Sequence, residues 1–194
     1  MDTTIEYYNK NAKEYAQTTR LVDMQEVYNH FEEYLLPHSH ILDVGCGSGR
    51  DAKHFKEKEY LVTGIDASIE LCKIASQYAG ITVINSRIED VEINEKYDAI
   101  WACASLLHVE RKQIVSVFKR LYKLLKEDGI FYASWKYGTE NREENGKYYC
   151  DFTIEMMTDL INKSDEFQVI EAWESIQKRE GKEVEWINFI FRRK

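Results

Sequence analysis

Three glycines and two acidic residues lie close together in the first half of the chain, at a spacing that suits a nucleotide-like ligand. Gly45, Gly47 and Gly49 alternate in a short loop between an apolar run and a helical pattern. Asp43 precedes this loop, and Asp66 ends the next apolar run. Dinucleotide sites use G-x-G-x-x-G, so that backbone N–H groups hold a pyrophosphate. Here the third glycine comes one position early and Asp43 would repel a pyrophosphate, so the pattern favours a ligand with an ammonium group and a ribose but no phosphate.

S-adenosylmethionine has these groups, and the chain resembles the class I S-adenosylmethionine-dependent methyltransferases, whose first motif is acid-x-Gly-x-Gly-x-Gly. The resemblance implies that the glycine loop passes under the methionyl part of the cofactor. It also implies that Asp66 accepts hydrogen bonds from both ribose hydroxyls, since it lies about 20 residues after Asp43, as a ribose acid should. Within the family, the motifs Gly-Ser-Gly-Arg-Asp at 47–51 and Ala-Ser-Leu-Leu-His at 104–108 look most like those of small bacterial enzymes that methylate small molecules, such as the tellurite-resistance type.

The resemblance extends to a full set of cofactor-binding residues. Relatives carry an acid after the third strand that meets the adenine amino group, whereas this chain has Arg87 there, so backbone groups at Arg87 and Ile88, or the acids Glu89 and Asp90, take that role. Arg50 either begins a helix or meets the cofactor carboxylate. The predicted cofactor residues are Tyr15, Asp43, Gly45, Cys46, Gly47, Arg50, Asp66, Ala67, Arg87, Ile88, Ala102 and Ala104.

Two residues are predicted to be catalytic, His108 and Tyr149. The sulfonium is already an activated leaving group, so the enzyme mainly orients the nucleophile, excludes water and removes a proton. His108 follows the fourth predicted strand and can accept a proton near neutrality. Tyr149 lies in the polar segment 136–150, which we expect to be an irregular acceptor-side lid with Tyr148 and Tyr149 in the acceptor pocket. The segment 103–106 lacks the Asn/Asp-Pro-Pro-aromatic motif of DNA adenine methyltransferases.

Strand and helix patterns alternate along the chain, which predicts an α/β, Rossmann-like fold. We expect a mostly parallel seven-stranded sheet with helices on both faces and an antiparallel C-terminal hairpin. One domain should cover residues 1–194, with a helical cap at 1–36, a cofactor-binding core at 38–135, and the acceptor-side loop, a helix and the last strands at 136–194. The predicted cap is one helical stretch over 5–36, ended by Pro37.

Composition narrows the choice of partners. The net charge is −8, and basic residues are interspersed with acids, which disfavours large nucleic acids. We therefore expect a small-molecule acceptor, either a metalloid oxyanion or a small metabolite, with DNA excluded and tRNA disfavoured. No run approaches the ~20 apolar residues of a membrane span, and the N-terminus does not resemble a signal peptide, so the predicted location is cytoplasmic. No metal is expected. The alternatives are a tRNA-base methyltransferase and a non-catalytic S-adenosylmethionine-binding module.

Overall fold

The computed structural model describes residues 3–179 and 182–194, and its helices and strands follow the alternation expected from the sequence. The helices are α1 (Thr3–Thr19), α2 (Gln25–Glu32), α3 (Arg50–Glu57), α4 (Ile69–Ala79), α5 (Ile114–Leu124) and α6 (Ile154–Asn162). The strands are β1 (His40–Val44), β2 (Leu61–Asp66), β3 (Thr82–Asn85), β4 (Tyr97–Ala102), β5 (Leu125–Lys136), β6 (Asn141–Glu144), β7 (Lys147–Cys150), β8 (Phe167–Arg179) and β9 (Lys182–Arg193). Short 3₁₀ helices at Leu106–His108 and Arg111–Gln113 precede α5.

Seven strands form one sheet in the order β3-β2-β1-β4-β5-β9-β8. The first five strands in that order are parallel to one another, whereas β9 is antiparallel to both β5 and β8. The strand order reverses between β1 and β4, and open α/β sheets bind ligands at the carboxyl ends of strands beside such a reversal. The predicted fold class is confirmed, including the antiparallel C-terminal hairpin.

Alternating side chains of the central strands build a hydrophobic core on each face of the sheet. On one face, α5 and α6 bury residues such as Phe118 and Met157 against Ile100 and Phe131. On the other face, Phe31 of α2 and Phe55 of α3 pack against strand residues that include Ile41, Trp101 and Tyr132. Burying one such large apolar side chain contributes about 1.5–3 kcal/mol. The two cores therefore hold the carboxyl ends of β1, β2 and β4 in fixed positions.

The predicted single helical stretch over 5–36 is wrong, because the chain turns between α1 and α2. The Gln25 N–H donates to Asp23 Oδ1 at 2.9 Å, a local side-chain bond that starts α2. Phe31 then drives α2 into the core under the sheet, where it is fully buried. Only α1 is left to cover the carboxyl ends of the strands, so the expected cap at 1–36 is reduced to its first half.

The expectation that residues 136–150 are irregular is also wrong, whereas their role as an acceptor-side lid stays a prediction. Lys136 is still part of β5, and β6 and β7 form a separate antiparallel hairpin. Its turn is Asn145-Gly146, with φ values of +52° and +76°. Asn-Gly favours two-residue hairpin turns because both residues tolerate positive φ. This dipeptide is the sequence signal that predicts the hairpin.

Membrane-spanning helices, metal-binding clusters and disulfide bonds are not found in the described part of the chain. Over residues 3–179 and 182–194, no helix has the length and apolar character needed to cross a membrane. The same residues contain no cluster of three His, Cys, Asp or Glu side chains placed to hold a metal ion. Cys46, Cys72, Cys103 and Cys150 are all free thiols.

Candidate functional site

An open cavity, about 790 Å³ with the solvent space at its mouth included, lies at the carboxyl ends of the parallel strands, beneath α1. Nine of the residues predicted from the sequence line it together: Tyr15, Gly45, Gly47, Asp66, Ala67, Arg87, Ile88, Ala104 and His108. Five predicted residues, Asp43, Cys46, Arg50, Ala102 and Tyr149, do not.

The N–H groups of the glycine loop are used within the protein. The N–H groups of Gly45 and Cys46 both donate to the carbonyl of Ile65, at 2.8 and 3.0 Å. The Gly47 N–H donates to Asp66 Oδ2 at 2.9 Å. A Cβ added at Gly47, where φ is +51°, would lie 3.2 Å from the Tyr15 ring. The loop is thus a close-fitting floor with its N–H donors already satisfied, which suits an adenosine–amino acid conjugate and not a pyrophosphate.

Asp66 is the central acidic group of the cavity. It is 9% exposed, and its Oδ1 accepts from the Ser68 N–H at 2.8 Å while Oδ2 accepts from Gly47. Burial raises the pKa of this carboxyl to about 6, although the two backbone hydrogen bonds oppose the shift. Each carboxylate oxygen keeps a second lone pair, so the group can still accept hydrogen bonds from a diol. This is the arrangement required of a ribose acid.

Asp43 and Arg50 lie beneath the glycine loop and not in the cavity. The Arg50 guanidinium makes two contacts with Asp51, Nε–Oδ1 at 2.5 Å and Nη2–Oδ2 at 2.9 Å, and donates to the Thr19 carbonyl. Arg50 is the first residue of α3, as one of the two alternatives expects, and it does not line the cavity; its contact with the cofactor carboxylate stays a prediction. Burial and the nearby Asp51 charge raise the pKa of Asp43. Asp43 Oδ2 is buried and has no hydrogen-bond partner among the described residues.

Cys46 and Ala102 also face away from the cavity. The Cys46 side chain packs against Gly64 of β2, where an added Cβ would come 3.0 Å from its Sγ atom. Ala102 is fully buried in the core beneath α5. Ala104 instead lines the cavity with φ at +49°, and its N–H donates to Ser134 Oγ at 2.9 Å. A non-glycine residue in the left-handed region is a costly conformation that clusters at functional sites.

The segment after β3 forms one wall of the cavity, and it contains Arg87 where the family pattern has an acid. Ser86, Arg87, Ile88 and Glu89 line the cavity there, and Asp90 does not. Arg87 Nη2 lies 2.9 Å from Glu89 Oε1, which holds that carboxylate against the wall. Among the two acids considered as substitutes for the missing one, the structure brings only Glu89 to the cavity.

His108 forms a hydrogen-bonded pair with Tyr8 at the other end of the cavity. His108 Nδ1 lies 2.6 Å from the Tyr148 carbonyl oxygen, which can only accept, so Nδ1 carries the proton. In the neutral ring, Nε2 is then an acceptor, and the Tyr8 hydroxyl donates to it at 2.9 Å. Burial raises the pKa of Tyr8 well above its usual value, which keeps the phenol protonated. Both side chains line the cavity, so a proton can pass between them beside a bound molecule.

Tyr149 lies behind His108, outside the cavity lining. The two ring centroids are 5.1 Å apart, and Tyr149 is 7% exposed. Burial raises the pKa of its phenol to about 12. Tyr149 is therefore placed to hold the neighbouring groups and not to act directly on a molecule in the cavity.

Helix α1 is fastened over the cavity by contacts at both ends. Asn9 Oδ1 accepts from Ser68 Oγ at 2.7 Å, and Thr4 Oγ1 accepts from the Tyr148 N–H at 3.0 Å. At the other end, Arg20 Nη2 donates to the Ser48 carbonyl at 2.8 Å. These contacts join α1 to the glycine loop, to α4 and to the hairpin.

Several lining residues were not predicted from the sequence. They include Thr4, Ile5, Ser68, Leu71 and Ser105. Thr4, Ile5, Tyr8 and Tyr15 share one face of α1 at helical spacing, so the period of that helix was the available signal. Ser68 and Leu71 gave none, because an N-cap serine and an apolar helix residue have ordinary structural roles.

Sequence comparison identifies a methyltransferase domain. Residues 41–129 match the family model described as "Methyltransferase domain". A ubiquinone biosynthesis O-methyltransferase of Haemophilus ducreyi is 34% identical over 105 residues, which cover 48% of this chain and 44% of that protein. A relative from Geobacillus sp. is 35% identical over 97 residues, 46% of this chain and 39% of that protein. The chain thus spans less than half the length of these curated relatives.

Comparison of structures extends the likeness over most of the chain. A Burkholderia thailandensis 1,6-didemethyltoxoflavin-N1-methyltransferase crystallised with S-adenosylhomocysteine aligns with a TM-score of 0.72 at 19% identity, covering 88% of this chain and 77% of that one. TehB from Haemophilus influenzae aligns with a TM-score of 0.72 at 16% identity, covering 88% and 62%. At these identities the alignments establish the fold alone. The two comparisons together show that residues 41–129 are similar to a methyltransferase domain and that the chain has the fold of the solved methyltransferases.

Proposed function

We propose that this protein transfers the methyl group of S-adenosylmethionine to a nucleophilic atom of a small-molecule acceptor. The observation that carries the proposal is one cavity lined both by the Asp66 carboxylate and by the Tyr8–His108 pair. Asp66 would hold the ribose, the glycine loop would lie under the methionyl part, and Arg87 to Glu89 would border the adenine. S-adenosylmethionine supplies an activated methyl group when bound.

The Tyr8–His108 pair suits an acceptor that loses a proton when it is methylated. As the acceptor hydroxyl or amine attacks the methyl carbon, its proton passes to the Tyr8 oxygen while the Tyr8 proton passes to His108 Nε2. The Tyr148 carbonyl holds the ring in the required tautomer. General base catalysis of this kind contributes about 10²–10⁴-fold.

A small acceptor is favoured by two observations. The net charge of −8 disfavours a nucleic acid, whose binding depends on positive charge. The relatives named above act, by their names, in ubiquinone biosynthesis and on 1,6-didemethyltoxoflavin.

The activity is tested by following formation of S-adenosylhomocysteine from S-adenosylmethionine. The acceptor arms are an ultrafiltered, protein-free cell extract and a purified tRNA pool. We expect turnover with the extract and none with tRNA. Turnover with tRNA alone would refute the small-molecule acceptor, and binding of S-adenosylhomocysteine without turnover in either arm would identify a non-catalytic binding module.

Tyr8→Phe tests the proton-transfer step. It should lower kcat by about 10²-fold or more while leaving the Kd for S-adenosylhomocysteine within about threefold, because general base catalysis is lost and the cofactor contacts remain. Tyr7→Phe is the matched control, since Tyr7 lies next to it in α1 and its ring centroid is 5.6 Å from that of Tyr8. Equal effects of the two substitutions would contradict the role of Tyr8.

A further inference from the structure

Three cationic side chains surround the ring of Tyr149. Lys136 Nζ lies 4.1 Å from the ring centroid, Arg142 Cζ lies 4.6 Å from it, and Lys147 Nζ lies 5.7 Å from it. All three are within the ~6 Å reach of a cation–π contact. The ring therefore gathers positive charge at one place beside His108, whose own side chain lines the cavity.

Lys136 differs from Arg142 in its carboxylate partners. Arg142 Nε lies 3.1 Å from Asp151 Oδ2, and its Nη1 lies 3.5 Å from Glu144 Oε2. Lys136 is half-buried, and among residues 3–179 and 182–194 it has no carboxylate within 4 Å. Burial and the Arg142 charge lower the pKa of Lys136. The Glu144 and Asp151 charges oppose this shift of the pKa but form no ion pair with Lys136, so the half-buried ammonium group is only partly compensated and a bound anion would remove the remaining cost.

The position of Lys136 relates it to the acceptor and not to the cofactor. It ends β5, and β4 separates β5 from β1 and its glycine loop. Tyr149 is 5.1 Å from the His108 ring, and Lys147 Nζ is 4.3 Å from the ring of Tyr7. The cations therefore border the proposed proton-transfer pair.

We propose that the acceptor carries a carboxylate in addition to the atom that is methylated, and that Lys136 binds this carboxylate beside the Tyr149 ring. A single ammonium group without a carboxylate partner matches a single negative charge. The arrangement fixes the acceptor at a second point, so that its nucleophile is held against Tyr8 and His108. This inference rests on the proposed methyl transfer.

The test measures binding of two probes, benzoate and its neutral analogue benzamide, to protein saturated with S-adenosylhomocysteine. Saturation fills the cofactor site, so that its own carboxylate site cannot take the probe. We expect benzoate to bind at least tenfold more tightly than benzamide. Lys136→Met should bring the two affinities together, whereas Lys136→Arg should retain the preference. Lys119→Met is the control, because Lys119 is 60% exposed and lies on α5.

The outcomes separate this inference from the proposed function. Benzoate binding no tighter than benzamide, or a preference that survives Lys136→Met, overturns the carboxylate site. Methyl transfer by the cell-extract assay can still hold in either case. If S-adenosylhomocysteine does not bind at all, the proposed function fails first, and the probe titration on the free protein still decides whether Lys136 selects a carboxylate.

Discussion

The raised pKa of Asp66 makes cofactor affinity depend on pH in a predictable direction. The carboxyl has a pKa of about 6 in the unliganded protein, against 3.8 ordinarily, because it is buried. Two ribose hydroxyls require an ionised acceptor, so binding should favour the charged form and lower the pKa in the complex. As pH falls through 6, the free protein takes up a proton that must leave before binding. Affinity for S-adenosylhomocysteine is therefore expected to fall with falling pH.

The magnitude follows from linkage between protonation and binding. With a pKa of about 6, roughly nine-tenths of the free carboxyl is ionised at pH 7 and roughly one-tenth at pH 5, so the Kd should rise about tenfold over that range. At pH 6, binding should release about half a proton. The stability of the unliganded protein should change with pH in the opposite direction. Because the pKa of Asp66 is raised in the folded state, this group contributes stability below pH ~4 and loses that contribution as pH rises through 6.

Calorimetry in two buffers of different ionisation enthalpy measures both the Kd and the proton release. Asp66→Asn is the control, and it should bind about 2–4 kcal/mol more weakly because charge-assisted hydrogen bonds are lost. Its Kd should also lose the tenfold dependence between pH 7 and 5. A parent protein whose Kd is flat across this range, or a variant with the same slope as the parent, would show that Asp66 is not the ribose acceptor.

Two further predictions concern the support beneath the site, and both are measured by urea unfolding. Asp51→Ala should destabilise the protein by about 3–5 kcal/mol, because it leaves the Arg50 guanidinium buried without its partner; a loss below about 1 kcal/mol would contradict this. Gly49→Ala should cost about 2–4 kcal/mol, because φ is +75° and the new Cβ would lie 2.9 Å from Ala75 Cα. Unchanged stability of that variant would mean that α4 can shift away freely.

The sequence was sufficient for the fold, because hydrophobic periodicity and turn residues determine it locally. The parallel strands end where apolar runs end, and the order of strand and helix patterns predicts their layering. The errors came from competition between local patterns and packing. The helical pattern over 5–36 continues across the turn at Asp23, where the Asp23 side chain and the burial of Phe31 together separate α2 from α1. The hairpin of β6 and β7 was missed because its polar composition outweighed its Asn-Gly turn.

The site was predictable where the backbone itself forms it and less so where side chains meet across the fold. Gly47 and Asp66 follow from motif spacing. The role of Arg50 was ambiguous, because the same sequence motif suits both an arginine that contacts a ligand and an arginine that pairs with a buried acid. The Tyr8–His108 contact joins residues 100 positions apart, and no local pattern encodes it.

The hydrogen bond from the Tyr148 N–H to Thr4 Oγ1 has a consequence for the order in which the molecule assembles. It closes a loop of 144 residues, so it forms only after the intervening sheet is in place. Most helical stability in proteins comes from tertiary packing, so α1 gains its stability from docking. During synthesis, the glycine loop can therefore take shape while the acceptor wall is still missing. The cavity is complete only when α1 docks against the β6–β7 hairpin.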